Sequence, residues 1–123
     1  MRWPPGWPVD SYSLLPLRAA IVAAEHGLLR EFSRAAFARN FALGLGLRDL
    51  ADVLAIAREV GLDGDAVANG VGSPAVKDRL TNATDTAIAA GVIGVPTVLV
   101  AGQRFWGDDQ LEVAAAAISA NLR

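Results

Sequence analysis

The sequence predicts a mostly helical α/β fold, in which a helical region is followed by a β-hairpin and a last helix. Apolar residues recur with helical spacing before residue 90, most clearly at Leu50, Val53, Leu54, Ala57 and Val60. The spacing changes at "PTVLVAG" (96–102), a β-branched run that ends in glycine and precedes a second short strand, "QRFW". Helical spacing returns in "GDDQLEVAAAAISANL". These changes divide the chain into a helical domain, 1–90, and a C-terminal domain, 91–123.

Capping and turn residues divide the helical domain further. Ser13 and Gly27 are expected to bound a first helix over 14–26. A second helical stripe covers 29–41, and short and long helices are expected over 65–71 and 74–90. The stretch "WPPGWP" (3–8) is expected to be extended, because residues before proline avoid the α region. Its two tryptophans should pack on another part of the protein.

The composition excludes several classes of function. A net charge of −2 argues against nucleic acid or an anionic membrane as the main partner. The chain has no cysteine and one histidine, so a zinc–thiolate site, a cysteine nucleophile and a multi-histidine metal site are excluded for these residues. No metal is therefore expected. The N-terminus lacks the apolar segment of a secretory signal, which predicts a cytoplasmic protein.

The strand "TVLV" (97–100) has no polar alternation and is predicted to be buried on both faces. The chain offers one evident neighbour for it, the strand "QRFW". The sheet is therefore expected to be incomplete, with a missing part supplied by another chain or by an absent N-terminal segment. Exposed strand edges also predict self-association, most simply as a homodimer.

The stretch "GVIGVPTVLVAGQRFWGDD" (91–109) carries the residues with the most chemistry. Bonds before proline adopt the cis form at modest cost, and a cis Pro96 would leave the amide and carbonyl of Val95 free to pair with an extended peptide. Asp108 and Asp109 stand where a helix begins. They would cap that helix and complement its dipole, or bind a ligand there, and the two roles are compatible.

Residues 91–118 resemble the C-terminal part of the DsbA-like thioredoxin superfamily, and within it the 2-hydroxychromene-2-carboxylate isomerase and kappa-class glutathione transferase family. The stretches "PPGWPVDS" (4–11) and "SPAVKDRLTNATDTAIAAGV" (73–92) support the resemblance, although Asp10 stands where the family usually has asparagine. The resemblance implies a glutathione-dependent isomerase or transferase acting on aromatic-derived substrates. It also implies that the βαβ unit with the catalytic serine or cysteine is missing, so no catalytic residue is assigned in this chain.

The same resemblance assigns binding roles to five residues. Val95, beside Pro96, would pair with the cysteinyl backbone of glutathione. Asp109 would bind the α-ammonium of its γ-glutamyl end, and the amides near Gly107 and Asp108 would bind its α-carboxylate.

Three further residues are candidates for the substrate pocket. Trp106 and Phe105 would line it for an aromatic molecule, with core packing as the alternative. Arg18 would meet an anionic substrate, with a surface salt bridge as the alternative.

Two other functions fit the sequence. One is a DsbA-like thiol–disulfide oxidoreductase whose cysteines lie upstream of these residues. The other is a non-catalytic helical module that completes its sheet with a partner or a second copy.

Overall fold

The computed structural model describes residues 1–9 and 13–122. The chain forms two compact units, Met1–Thr81 and Asn82–Arg123, and each is described by itself below. The division into domains at residue 90 stays a prediction, and Asp10 lies outside the described residues.

Helices make up most of the first unit. They are α1 (Leu14–Glu25), α2 (Leu29–Phe37), α3 (Leu50–Glu59), α4 (Gly64–Val71) and α5 (Pro74–Ala89), within which the boundary between the units falls. A π-helical turn, Ala38–Ala42, directly follows α2. The order and type of these helices are those that the apolar spacing and the turn residues predict.

The core of this unit lies where α1 packs against α2, α3 and α4. Its largest fully buried side chains are Phe32, Ile56, Val53 and Val67. Removing each such side chain from water stabilises the fold by about 1.5–3 kcal/mol. The core therefore gives this helical unit its main source of stability.

The predicted cap at Ser13 is wrong in its detail. Helix α1 does begin directly after Ser13, but the Ser13 side chain makes no capping hydrogen bond. The backbone of Ser13 has φ −106° and ψ −7°, which is already helical and differs from the extended conformation that a capping serine adopts.

The second unit contains a β-hairpin and helix α6 (Leu111–Asn121). Strands β1 (Thr97–Val100) and β2 (Gln103–Trp106) pair antiparallel across the turn Ala101–Gly102, with Thr97 opposite Trp106 and Val100 opposite Gln103. A 3₁₀ turn, Asp108–Gln110, connects the hairpin to α6, which packs on both strands.

The prediction that β1 is buried on both faces is wrong. Val100 is 9 % exposed, whereas its neighbour Leu99 is 49 % exposed. Helix α6 covers one face of the hairpin, and side chains of a strand alternate between the faces. In the described residues β2 is the only strand that pairs with β1, so the sheet has two strands.

Candidate functional site

The open end of the hairpin brings two sequence motifs together. Beyond the last strand pair, Thr97 and Trp106, the Gly107 N–H donates a hydrogen bond of 2.9 Å to the Pro96 carbonyl. The Val95–Pro96 segment therefore lies directly beside the turn that starts at Gly107. We call the residues Val95, Pro96, Gly107, Asp108 and Asp109 the hairpin-end site.

Val95 presents its backbone to solvent. The Val95–Pro96 peptide bond is cis, and Val95 is 89 % exposed. None of the described residues forms a hydrogen bond with the Val95 N–H or carbonyl. The Thr97 hydroxyl donates to the Gly94 carbonyl at 2.5 Å and so fixes Gly94, the residue before Val95. Val95 thus offers a free donor and a free acceptor from an anchored loop, as an open strand edge does.

Gly107 shapes the other half of the site. Its φ of 101° and ψ of 154° place it in a region of backbone conformation that is essentially restricted to glycine. A Cβ atom at this position would lie 2.5 Å from Asp109 Oδ1. The absence of a side chain therefore gives the Asp109 carboxylate room to fold back towards the hairpin end.

Both carboxylates of the turn are available to a ligand. Asp108 and Asp109 are exposed, and the side chains of the described part of the chain give neither of them a hydrogen bond or an ion pair. The interpretation of these aspartates as side-chain caps is therefore not realised, although both stand in the first turn, where a negative charge complements the helix dipole. Their backbone N–H groups also lack a partner among the described residues.

The predicted pocket residues lie in different units. Trp106 is 51 % exposed and its indole lies against Gly94, where a Cβ atom would be 2.7 Å from Nε1. Phe105 precedes it on β2 and is half-buried. Arg18 lies on α1 in the first unit, where its Nε is buried without a partner among the described residues. A pocket formed jointly by these three residues stays a prediction.

The first unit contains a cavity that the sequence does not predict. It has a volume of about 480 Å³ and lies beside the π-helical turn, with Trp7, Phe37 and Asn40 among its lining residues. The aromatic residues around it were visible in the sequence. The π-helical turn, which places Asn40 in the wall, has no signature in the apolar spacing.

Two classes of feature are absent from the described residues. No group of histidine, cysteine, aspartate or glutamate side chains within 1–9 and 13–122 could hold a metal ion. Over the same residues, no helix combines the length and the apolar character that crossing a bilayer requires.

Comparisons with known proteins agree with this architecture. A family model described as a DSBA-like thioredoxin domain matches residues 2–119, and the chain belongs to that family. The chain is also similar to a 2-hydroxychromene-2-carboxylate isomerase of Sphingobium xenophagum, with 36 % identity over 94 residues. That alignment covers 76 % of this chain and 48 % of the relative, so the chain spans about half the length of the curated relative that it matches. The family resemblance and the fold class read from the sequence are confirmed.

Proposed function

We propose that this chain is the glutathione-binding part of an isomerase of the 2-hydroxychromene-2-carboxylate isomerase type. The similar relative supports the class of reaction. One observation supports the ligand: the unpaired Val95 backbone and the free Asp109 carboxylate lie at the same end of the hairpin, joined by the bond from Gly107 to Pro96.

The residues of the hairpin-end site fit the groups of glutathione. The N–H and carbonyl of Val95 match the extended cysteinyl backbone, which needs one acceptor and one donor. The Asp109 carboxylate matches the α-ammonium of the γ-glutamyl end, and the free N–H of Asp108 matches its α-carboxylate. The Gly107 N–H, which the sequence also suggested for this role, is already bonded to the Pro96 carbonyl. When bound, glutathione supplies a thiol.

The role of this chain is then to bind and orient the tripeptide. Trp106, the last residue of β2, is proposed with Phe105 to contact the aromatic-derived substrate. Arg18, which lies in the first unit, is proposed separately as a partner for an anionic group. No residue of these 123 is assigned to catalysis. The protein is proposed to work in the cytoplasm as a homodimer.

The two alternative functions, a thiol–disulfide oxidoreductase and a non-catalytic assembly module, would need different groups at the hairpin-end site. A thiol–disulfide oxidoreductase whose cysteines lie upstream would need the Val95 backbone to bind an extended peptide, but no free carboxylate beside it. A non-catalytic assembly module would need no free carboxylate beside Val95. The hairpin-end site therefore favours a ligand-binding role over both.

Calorimetric titration of the full chain tests the proposal. We expect glutathione to bind, and we expect Asp109→Asn to weaken it about tenfold, because the charge-assisted bond to the α-ammonium is lost. Cysteinylglycine lacks the γ-glutamyl residue, so its affinity should be the same for both proteins.

Asp85→Asn is the matched control, because Asp85 is an exposed residue of α5 in the same unit and outside the site. It removes the same charge and should leave glutathione affinity unchanged. A folded wild-type chain that does not bind glutathione would refute the proposal, as would an equal loss of affinity in Asp85→Asn and Asp109→Asn.

A further inference from the structure

We propose that the first unit carries a separate site for a planar aromatic molecule with one neutral hydrogen-bonding group. The site is the cavity of about 480 Å³ between the N-terminal segment, the π-helical turn and the loop before α3. Its volume lies within the range of about 300–1,000 Å³ that small-molecule sites have. We call it the aromatic cavity. It lies entirely within 1–81, and its test uses no glutathione.

The walls of the aromatic cavity are flat apolar rings. Trp7, Phe37 and Phe41 line it, and Trp7 meets Phe41 edge to face with ring centroids 5.6 Å apart. Trp3 stacks on Trp7 with centroids 5.3 Å apart and fixes its plane. Phe37 nevertheless remains 62 % exposed and Trp7 37 % exposed. Rings held in place but left uncovered suit an aromatic ligand, which stacks at little cost in side-chain entropy.

A buried amide supplies the specific contact. Asn40 lines the cavity and is 7 % exposed, yet its side chain hydrogen-bonds to none of the described residues. Within the described residues Arg18 Nε alone is a fully enclosed polar side-chain atom without a partner, so the unpaired Asn40 amide keeps accessible surface and is open to a ligand. The amide both donates and accepts, so it pairs best with a group that does the same, such as a phenolic hydroxyl or a lactam.

The π-helical turn explains why Asn40 faces inward. The Leu43 N–H donates to the Ala38 carbonyl at 3.0 Å, five residues earlier, which widens the helix at this point. Such turns within helices occur frequently at functional sites. The turn is also anchored, because the Arg2 N–H donates to the Phe41 carbonyl at 2.6 Å.

The charges around the cavity favour a neutral ligand. The Arg39 guanidinium donates to Asp52 Oδ1 at 2.8 Å and to the Gly46 carbonyl at 3.3 Å. Asp52 Oδ2 accepts from the Asp49 N–H at 3.1 Å, so the charge of Asp52 is already engaged. Arg48 and Asp49, both exposed, contribute opposite charges to the rim. The rim thus carries one positive and one negative charge besides the Arg39–Asp52 pair, and it does not favour an ion of either sign.

The test uses 2-naphthol as the probe and 2-fluoronaphthalene as its partner without the hydroxyl. We expect 2-naphthol to bind the full chain and to shift the side-chain amide signals of Asn40 in a heteronuclear NMR spectrum. Asn40→Leu should weaken 2-naphthol about tenfold (roughly 1.4 kcal/mol) and leave 2-fluoronaphthalene unchanged. Asn69→Leu is the matched control, because Asn69 is an exposed residue of α4 outside the cavity.

A second variant covers the case in which Asn40→Leu does not fold. Phe37→Ser changes a wall residue that is already exposed, and it should weaken both probes. The proposal is overturned if 2-naphthol does not bind, if the Asn40 signals do not move, or if both Asn40→Leu and Phe37→Ser bind 2-naphthol like the wild type. None of these results bears on glutathione binding at the hairpin end.

Discussion

Gly107 is the residue on which the shape of the hairpin-end site most depends. Its backbone conformation is essentially restricted to glycine, and a Cβ atom would meet the Asp109 carboxylate at 2.5 Å. Both effects act on the same turn. A side chain at this position would therefore disturb the fold and the site together.

We expect Gly107→Asn to destabilise the hairpin by about 1–3 kcal/mol, the usual cost of a residue forced into a disfavoured backbone region. Urea titration followed on the NMR signals of 97–106 measures this change. Gly102→Asn is the control, since Gly102 has a φ of 82° with no atom within 4 Å of the added Cβ, and asparagine tolerates positive φ. Equal stability of the two variants would contradict the argument.

At the scale of elements, α4 approaches α1 closely because residue 70 is a glycine, which has no side chain. A Cβ atom on Gly70 would lie 2.4 Å from Cγ2 of Val22, which is 2 % exposed and stiff at its branched Cβ. Alanine at this position would gain about 1 kcal/mol of helix propensity, but the overlap can be relieved only by moving one helix.

The expected result is that Gly70→Ala lowers the free energy of unfolding by about 1–3 kcal/mol, as overpacking does. Chemical denaturation of the two proteins side by side gives the difference. Gly64→Ala, at the start of the same helix, places its Cβ 3.6 Å from the nearest atom and should leave stability unchanged or slightly higher. A neutral Gly70→Ala would show that the two helices move apart freely.

The helices were predictable from the sequence, whereas one feature within them was not. Glycine, proline and the apolar spacing mark where helices begin and end, since those residues act locally. The π-helical turn at Ala38–Ala42 depends instead on how the N-terminal segment and the loop before α3 pack, as the bond from Arg2 to Phe41 illustrates. The burial of Asn40 and the aromatic cavity follow from that packing and could not be predicted.

In the hairpin, too, some features follow from nearby residues and others from packing by distant parts of the protein. Its register follows from the turn at Ala101–Gly102, and the register alone brings Val95 and Asp109 to one end. The exposure of Leu99 depends on what covers the sheet, which a strand's own residues do not reveal. The adjacency of the binding residues was therefore predictable, and the burial of the strand was not.

At the scale of the whole molecule, the C-terminal unit combines uncovered apolar side chains with an unpaired strand edge. Its exposed apolar side chains include Ile93, Leu99, Trp106 and Val113. Within the described residues, strand β1 also has one edge without a partner strand. Unpaired edges of this kind pair with other chains unless charge or shape prevents it.

We expect the chain to self-associate through this edge and Leu99→Lys to shift it towards the monomer, because a lysine on an edge strand opposes pairing. Sedimentation velocity over a series of concentrations measures the distribution. Leu17→Lys introduces the same charge at a side chain of similar exposure, 48 %, on α1 and should leave the distribution as it is. A wild-type chain that is monomeric throughout the series would rule out association by this route.

The stacked pair of Trp3 and Trp7 has a spectroscopic consequence. Their rings lie 5.3 Å apart and are inclined by 29°, close enough for the electronic transitions of the two indoles to couple. Coupled indoles give paired bands of opposite sign in circular dichroism, and the bands vanish when either ring is replaced by phenylalanine. Because the pair rests on Phe41, the signal reports whether the N-terminal segment is seated on the π-helical turn. The circular dichroism of this tryptophan pair therefore reports on the wall of the aromatic cavity without an added label.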